Sequence, residues 1–266
     1  MDTSLQKADI WKRISAFLCD AVCIIFLSCA LVLLFSWIFN INGHAATMSE
    51  RRDEIITEAG YNIKDDDGKV IANPYPSSNE ELEKLSEEEK AKFQETEKRI
   101  YADDAYAKAR LLFINLSIII ITASILISFL IFEFLIPLLL KNGQTVGKKV
   151  FGVAVMRADG VKIPTALLFL RAIVCKFTLE TMVPVMALLA AVLFQYWLMA
   201  TILVFGILAL QVILFLFTKE HTPIHDICTY TVAVDMGSQK IFNSAEEKAE
   251  YIAKIQRERA EDERDY

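Results

Sequence analysis

Five cysteines are present among 266 residues (Cys19, Cys23, Cys29, Cys175 and Cys228), and none falls in the long polar stretch between residues 40 and 110. They offer neither a disulfide framework nor a zinc-ligand spacing. Cys19 and Cys23 share a helix face, where a free thiol ordinarily serves as a small apolar packing group. A P-loop, a dinucleotide fingerprint and a Ser–His–Asp order are missing too, so the expectation is a protein that is not an enzyme and carries no cofactor. The 28 Lys and Arg stand against 34 Asp and Glu, for a formal charge of −6, and no element gathers the basic residues into a stripe. That pattern argues against a nucleic-acid partner. No small-residue cleavage site follows the first apolar run before Asn40, so this run reads as a retained helix rather than a signal peptide.

What the chain does have is apolar residues gathered into three long blocks, with the charges in the gaps between them. A soluble domain of this size would spread them in short periodic stripes. The first block, Ile14–Phe39, contains Asp20 as its single charge, with Arg13 at its entrance. It exceeds the roughly 20 apolar residues that a helix needs to cross a bilayer. The second, Leu111–Leu140, contains Glu133 alone, and the third, Thr165–Phe217, carries Arg171, Lys176 and Glu180 near its start. As one helix the third block would approach 80 Å at about 1.5 Å per residue, so it divides near Gln195–Tyr196 into spans of about 165–193 and 197–217. The competing division makes 165–180 an interfacial amphipathic helix followed by a hairpin from Thr181, with Pro184 marking a break or a kink.

The fold expected is therefore an all-α membrane protein with about four transmembrane helices (three being the alternative count), a charged helical external insertion and a small cytoplasmic β element. Its segments are 1–39 with the first crossing, 40–110 as the acidic insertion, 111–140 as the second crossing, 141–164 as a link with short strands, 165–217 as the third and fourth crossings, 218–242 as a His-Asp segment, and 243–266 as a charged helical tail. Lys7, Lys12 and Arg13 precede the first crossing, and Lys141, Lys148, Lys149, Arg157 and Lys162 fill the link. The positive-inside rule then places the N-terminus and the link in the cytoplasm of a multi-pass cell-membrane protein, with 40–110 outside.

Within the insertion, residues 47–59 have helical composition, Asp65–Gly68 reads as a turn, and Asn73–Pro76 as a second breaker. From Asn79 to Arg110 the sequence predicts a charged helix, capped by Ser78 or Asn79, running into the second crossing as one rod. The three aspartates at 65–67 lack the distal glutamate of a calcium loop. In the link, residues 150–157 favour a strand, Asp159-Gly160 a turn and Val161–Ile163 a returning strand, while Thr231–Val234 forms a similar run. Ser244 and Glu247 read as the capping box of the tail helix.

A carboxylate near the centre of a crossing costs about 2.5–3.5 kcal/mol on insertion scales, so Asp20 is expected to be paired or functional. Arg13 lies seven residues earlier, on nearly the same face but about 10.5 Å away along the axis, which calls for another partner. Glu133, seven residues before Leu140, falls at a similar depth, where two neighbouring carboxylates share a proton or hold a cation. Arg171 and Lys176 are the cations at hand, with Arg171 at the depth needed to neutralise Asp20 or Glu133. Two readings stay open: an Arg–Asp set that locks helices together, or a pathway for a proton or small cation. Asn115, Gln195 and Gln211 read as interhelical hydrogen-bonders. His221 and His225, followed by Asp226, have a zinc-like spacing that Pro223 spoils for a regular helix.

Three segments together resemble the RDD family of small membrane proteins, named for one arginine and two aspartates. Lys12-Arg13-Ile14-Ser15-Ala16-Phe17-Leu18-Cys19-Asp20 is similar to its first-helix motif. Gly143-Gln144-Thr145-Val146-Gly147-Lys148, followed by Asp159-Gly160 and Leu170-Arg171, looks like its G-Q-T-x-G-K signature with the downstream arginine. Ile224-His225-Asp226 with Thr231-Val232 resembles its closing segment and supplies the second aspartate. The resemblance implies a transport or transport-accessory role, with cation/proton exchange proposed for some members. The residues and the resemblance together give Arg13, Asp20, Glu133, Arg171 and Asp226 as an ion or proton pathway or a structural charge network, Glu133 from its place in the second block alone, with Gly143, Gln144, Thr145, Gly147, Lys148 and His225 as family signature. The partners expected are membrane lipid, a small cation or proton, and a second copy of the chain. The long acidic insertion and the extra crossing depart from the family's usual pattern.

Overall fold

The computed structural model describes residues 6–140, 143–218 and 222–262. Lys141 of the basic link and His221 of the histidine pair lie outside them. In chain order the elements are α1 (Ile10–Ile38), α2 (Ile41–Glu58), β1 (Ile63–Lys64), β2 (Val70–Ala72), α3 (Asn79–Glu83) and α4 (Glu87–Ala102). Then follow α5 (Asp104–Leu140), α6 (Val146–Val150), β3 (Val153–Arg157), α7 (Thr165–Phe194) and α8 (Trp197–Phe217). The chain closes with α9 (Ile224–Cys228), β4 (Thr231–Asp235) and α10 (Ala245–Asp262). Four of these, α1, α5, α7 and α8, are long and apolar enough to cross a membrane. The protein is an all-α multi-pass membrane protein with small β elements.

The chain divides into two compact units, one formed by residues 1–30 and 122–266 and the other by residues 31–121. In the first unit, Phe129 and Phe177 meet edge-on at 5.8 Å and pack with Met182, Ile24 and Ile173, which joins α1, α5 and α7. A hydrogen bond of 2.9 Å between the Ser28 and Ser128 hydroxyls crosses between α1 and α5. The third apolar block divides as its length requires. Gln195 takes a left-handed conformation at φ 60° that ends α7, and α8 begins at Trp197. The two helices then pack through Ala187, Ala191 and Ala200, small residues that let backbones approach closely. There is no interfacial helix with a hairpin at Thr181. Helix α7 instead passes through Pro184, which falls where the hydrogen-bond ladder already changes step and a missing N–H disrupts least.

Nothing in the sequence pattern announces that change of step. Residues Leu130–Leu135 of α5 and Leu170–Met182 of α7 are wound wide, as π-helix. The hydroxyls of Thr178 and Thr181 donate to carbonyls five residues back, at 2.9 Å each, and so support the wide turns. Such stretches recur at functional sites because they rotate side chains off the regular face. Here they carry Glu133 on one helix and Arg171, Lys176 and Glu180 on the other.

Strands β3 and β4 pair antiparallel from Val153↔Asp235 to Arg157↔Thr231, burying Ala154, Met156, Val232 and Val234. The N-terminal chain adds to this sheet through Ala8, whose N–H donates to Ala233 at 3.2 Å. Two expectations are corrected. The strand starts at Val153 rather than Val150, because Thr145 caps a helical turn at Val146–Val150 and Gly152, at φ +67°, redirects the chain. The 161–163 run makes a bridge at Met156↔Lys162, while the ladder partner of β3 is β4.

The second unit has a small core of Ile55, Ile56, Tyr61, Ile100 and Tyr106. Arg51 donates to both oxygens of Asp103, at 3.1 and 2.7 Å. Strands β1 and β2 form a hairpin around Asp65–Gly68. The single rod expected from Asn79 to Arg110 is broken twice. Ser86 and Glu89 form a capping box that starts α4 afresh, and Asp103 is extended, with its side chain accepting from the Tyr106 N–H at 2.8 Å. Serine and aspartate favour helix starts over interiors because their short side chains compete for backbone donors. In the tail, α10 starts with the Glu247 N–H donating to Ser244 at 3.1 Å.

Candidate functional site

The link between α5 and β3 folds back against the first turns of α1. Thr145 precedes α6 in extended conformation, its oxygen accepting from the Lys148 N–H at 3.4 Å while its hydroxyl donates to Asp20 Oδ2. The Gly147 N–H donates to Asp20 Oδ1 at 2.7 Å. Both carboxylate oxygens of a residue only 3% exposed are thus satisfied by neutral donors. Glycine is required at 147 because a Cβ there would stand 2.3 Å from the Ala16 carbonyl oxygen. Gly143 has φ +61° and lies so near β3 that a Cβ would come within 2.9 Å of the Val155 oxygen, and the Gln144 amide donates to the Val153 carbonyl at 2.9 Å. The G-Q-T-x-G-K run is therefore a loop clamped on one side to α1 and on the other to β3.

The wide-wound part of α7 supplies three charged groups, each with its own counterpart. Arg171 donates through Nε and Nη2 to Asp226 Oδ1 at 3.0 and 2.7 Å, and the Thr231 hydroxyl adds a third donor at 2.9 Å. Lys176 is paired with Glu133 of α5. Glu180 accepts from the His225 backbone N–H at 2.9 Å, and its oxygens stand 2.9 and 3.0 Å from His225 Nδ1. Two carboxylate oxygens around Nδ1 place the imidazole proton there.

Burial would raise the Asp226 carboxyl, but the Arg171 guanidinium, His225 and Lys148 together outweigh it and hold the group well below the usual carboxylate range. His225 is pushed below its ordinary value, chiefly by burial and also by Arg171 and Lys176, against Asp226 and Glu180. Lys148 is lowered to about 7 by burial and by the Arg171 and Lys176 cations, against Glu133 and Asp20. Its ammonium is out of solvent and finds no hydrogen-bond partner among the described residues, and Glu133 Oε2 is in the same condition.

These groups line one cavity of about 690 Å³, with Asp20, Glu133, Glu180 and Asp226 facing Arg13, Lys148, Arg171 and Lys176. The four acids balance the four bases. Arg13 also stands over the Phe215 ring of α8 at 5.6 Å. Among the described residues no cluster of three or more His, Cys, Asp and Glu is arranged to hold a metal ion.

All five expected charged residues line this cavity, yet the pairings differ from those expected. Arg171 meets Asp226 rather than Asp20 or Glu133. Asp20 and Glu133 each have donors of their own instead of sharing a proton with one another. The closing His-Asp segment docks both its side chains on α7. Sequence reasoning underrated Glu180 and Lys176. Their spacing of four is a same-face signal, whereas the wide winding that aims them inward leaves no trace in composition.

The model of the RDD family matches residues 7–229, which takes in the first two motif segments and the Ile224-His225-Asp226 part of the third. No curated protein and no solved structure matches the chain. The clamp between Asp20 and the Gly143–Lys148 loop, together with the Arg171–Asp226 lock, joins the three motifs into one site, and the chain belongs to the RDD family.

Proposed function

We propose that the protein transports a solute across the cell membrane, or assists a protein that does, with coupling to a proton or small cation through the charged cavity. One observation carries this reading: Glu133 Oε2 and Lys148 Nζ are buried in a charge-lined cavity without hydrogen-bond partners among the described residues. A buried polar atom left unsatisfied is costly and calls for a ligand, a water or a proton. Lys148, lowered to about 7, loses its proton near neutral pH, with Asp20, Glu133, Arg171 and Lys176 around it to respond. Asp20 then acts by positioning the loop that bears Lys148, and Arg171 and Asp226 hold α7 to the closing segment.

The N-terminus, the 143–164 link and the β3–β4 sheet lie in the cytoplasm on this reading, supported by the basic residues around them. Four crossings enclose little by themselves, so a second copy completes the path. The protein performs no chemical conversion. The test is cation-driven proton movement in proteoliposomes, with Glu133→Gln and Lys148→Met compared with wild type at equal density. The competing reading, an assembly factor without flux, draws on the closed Arg171–Asp226 pair, each side chain 3% exposed, a geometry suited to locking helices.

A further inference from the structure

The two unpartnered atoms are opposite in kind. Lys148 Nζ is a donor, positive while it holds its proton, Glu133 Oε2 is an acceptor, and among the described residues no Lys148–Glu133 ion pair within 4.0 Å joins them. Every other ionised group whose partners are described above is matched within the protein. With Lys148 protonated the cavity is balanced at four acids and four bases, so a bare cation enters at balance only when Lys148 gives up its proton. A net-neutral ligand carrying both signs satisfies both atoms and keeps the balance.

The walls say where such a ligand comes from. Phe17 and Ile25 of α1 and Leu208, Val212 and Leu216 of α8 line the cavity, yet each is between 54% and 62% exposed. The cavity therefore opens sideways along a seam between α1 and α8. For helices that cross a bilayer, the medium outside that seam is acyl chain. A volume of about 690 Å³ is in the range of small-ligand sites and holds a lipid head with the start of its chains, while the rest leaves through the seam.

We propose that the cavity binds a zwitterionic phospholipid whose head carries a primary ammonium beside its phosphate. The phosphate accepts from Lys148, the ammonium donates to Glu133, and the chains lie along the apolar seam. A quaternary ammonium has no N–H to give Glu133, and a glycerol head brings no ammonium at all. A site built to hydrogen-bond a group discriminates strongly against analogues lacking it. This binding uses the cavity assigned to transport but does not require flux, so the lipid is either cargo or a resident of the site.

The experiment is native mass spectrometry of the delipidated full chain in detergent. It is offered equal amounts of phosphatidylethanolamine, phosphatidylcholine and phosphatidylglycerol with identical chains, with phosphoethanolamine as a chainless competitor. The expected result is one lipid retained, with phosphatidylethanolamine favoured at least tenfold. That preference disappears in Lys148→Met, which removes a buried unpartnered charge and so leaves the fold intact. A second variant, Ile25→Trp with Leu208→Trp, fills the seam and abolishes retention without touching the charges. Equal retention of all three heads, no retained lipid, or capture of phosphoethanolamine in preference to any lipid overturns the proposal. Flux measured on the same preparation is read separately. Retention without flux refutes transport alone, and flux without retention refutes the lipid site alone.

Discussion

The Gly147 N–H donates to the Asp20 carboxylate at 2.7 Å across a separation of 127 residues. This hydrogen bond explains why an acid is tolerated within a membrane-crossing helix, and the close approach to the Ala16 carbonyl that it needs explains why glycine follows two places after Thr145. The intramembrane acid is here a clamp on a loop, and the loop carries Lys148, whose ammonium has no hydrogen-bond partner among the described residues.

Substituting Gly147 with alanine tests how closely the loop approaches α1. The added methyl would meet the Ala16 carbonyl oxygen at 2.3 Å, and a backbone atom on a packed helix has little room to retreat. Overpacking of this kind costs about 1–3 kcal/mol. Thermal unfolding of Gly147→Ala should show a lowered Tm, and amide hydrogen exchange should quicken across the Gly143–Lys148 loop.

Asp20→Asn keeps one acceptor and replaces the other by an amide that cannot accept from Thr145 or Gly147. Leaving a buried donor unmatched costs about 1–3 kcal/mol. The expected outcome is reduced stability and a loosened loop, and whatever protein remains folded retains a measurable share of its flux. Tm and flux per folded molecule, measured together, check it.

Arg171→Ala should destabilise by about 3–5 kcal/mol, because it strands the Asp226 carboxylate in the interior. The double variant Arg171→Ala with Asp226→Ala should lose clearly less than the sum of the two single changes. A double-mutant cycle on unfolding in detergent measures the difference.

Lys148 gives a pH signature. Its unfolded value is 10.5 and its folded value about 7, so between those limits the unfolded chain binds the extra proton. Stability contributed at this position is therefore lowest below pH 7 and rises as pH climbs toward about 10.5. Unfolding of wild type against Lys148→Met across pH 6–10 should show the variant ahead at low pH and the gap closing as pH rises. A gap that widens with pH contradicts the assignment.

Much of the architecture was legible because lipid imposes simple rules. Apolar runs of the right length marked the crossings, and the left-handed Gln195 lies at the predicted division of the third block. Asp20, Glu133 and Arg171 stood out because charge is costly in such runs, whereas Asp226 was reached through the motif resemblance. Their pairing was not legible. Axial depth placed Arg171 near Asp20 and Glu133, but facing is set by rotation about the helix axis, and the wide turns of α5 and α7 alter that rotation locally. The rod through Asp103 failed for a related reason: helix-forming composition on both sides hid a single residue whose side chain caps the next helix. Motif resemblance identified Gly147 and Thr145 without saying what they touch.

The most direct test of the account is proton movement driven by a cation gradient in proteoliposomes at pH 7, with wild type, Glu133→Gln and Lys148→Met reconstituted at equal folded density. The account predicts flux in wild type and its loss in both variants while Tm stays high in Lys148→Met. Wild-type flux that persists in both variants, or no wild-type flux with sodium, potassium or lithium, contradicts it.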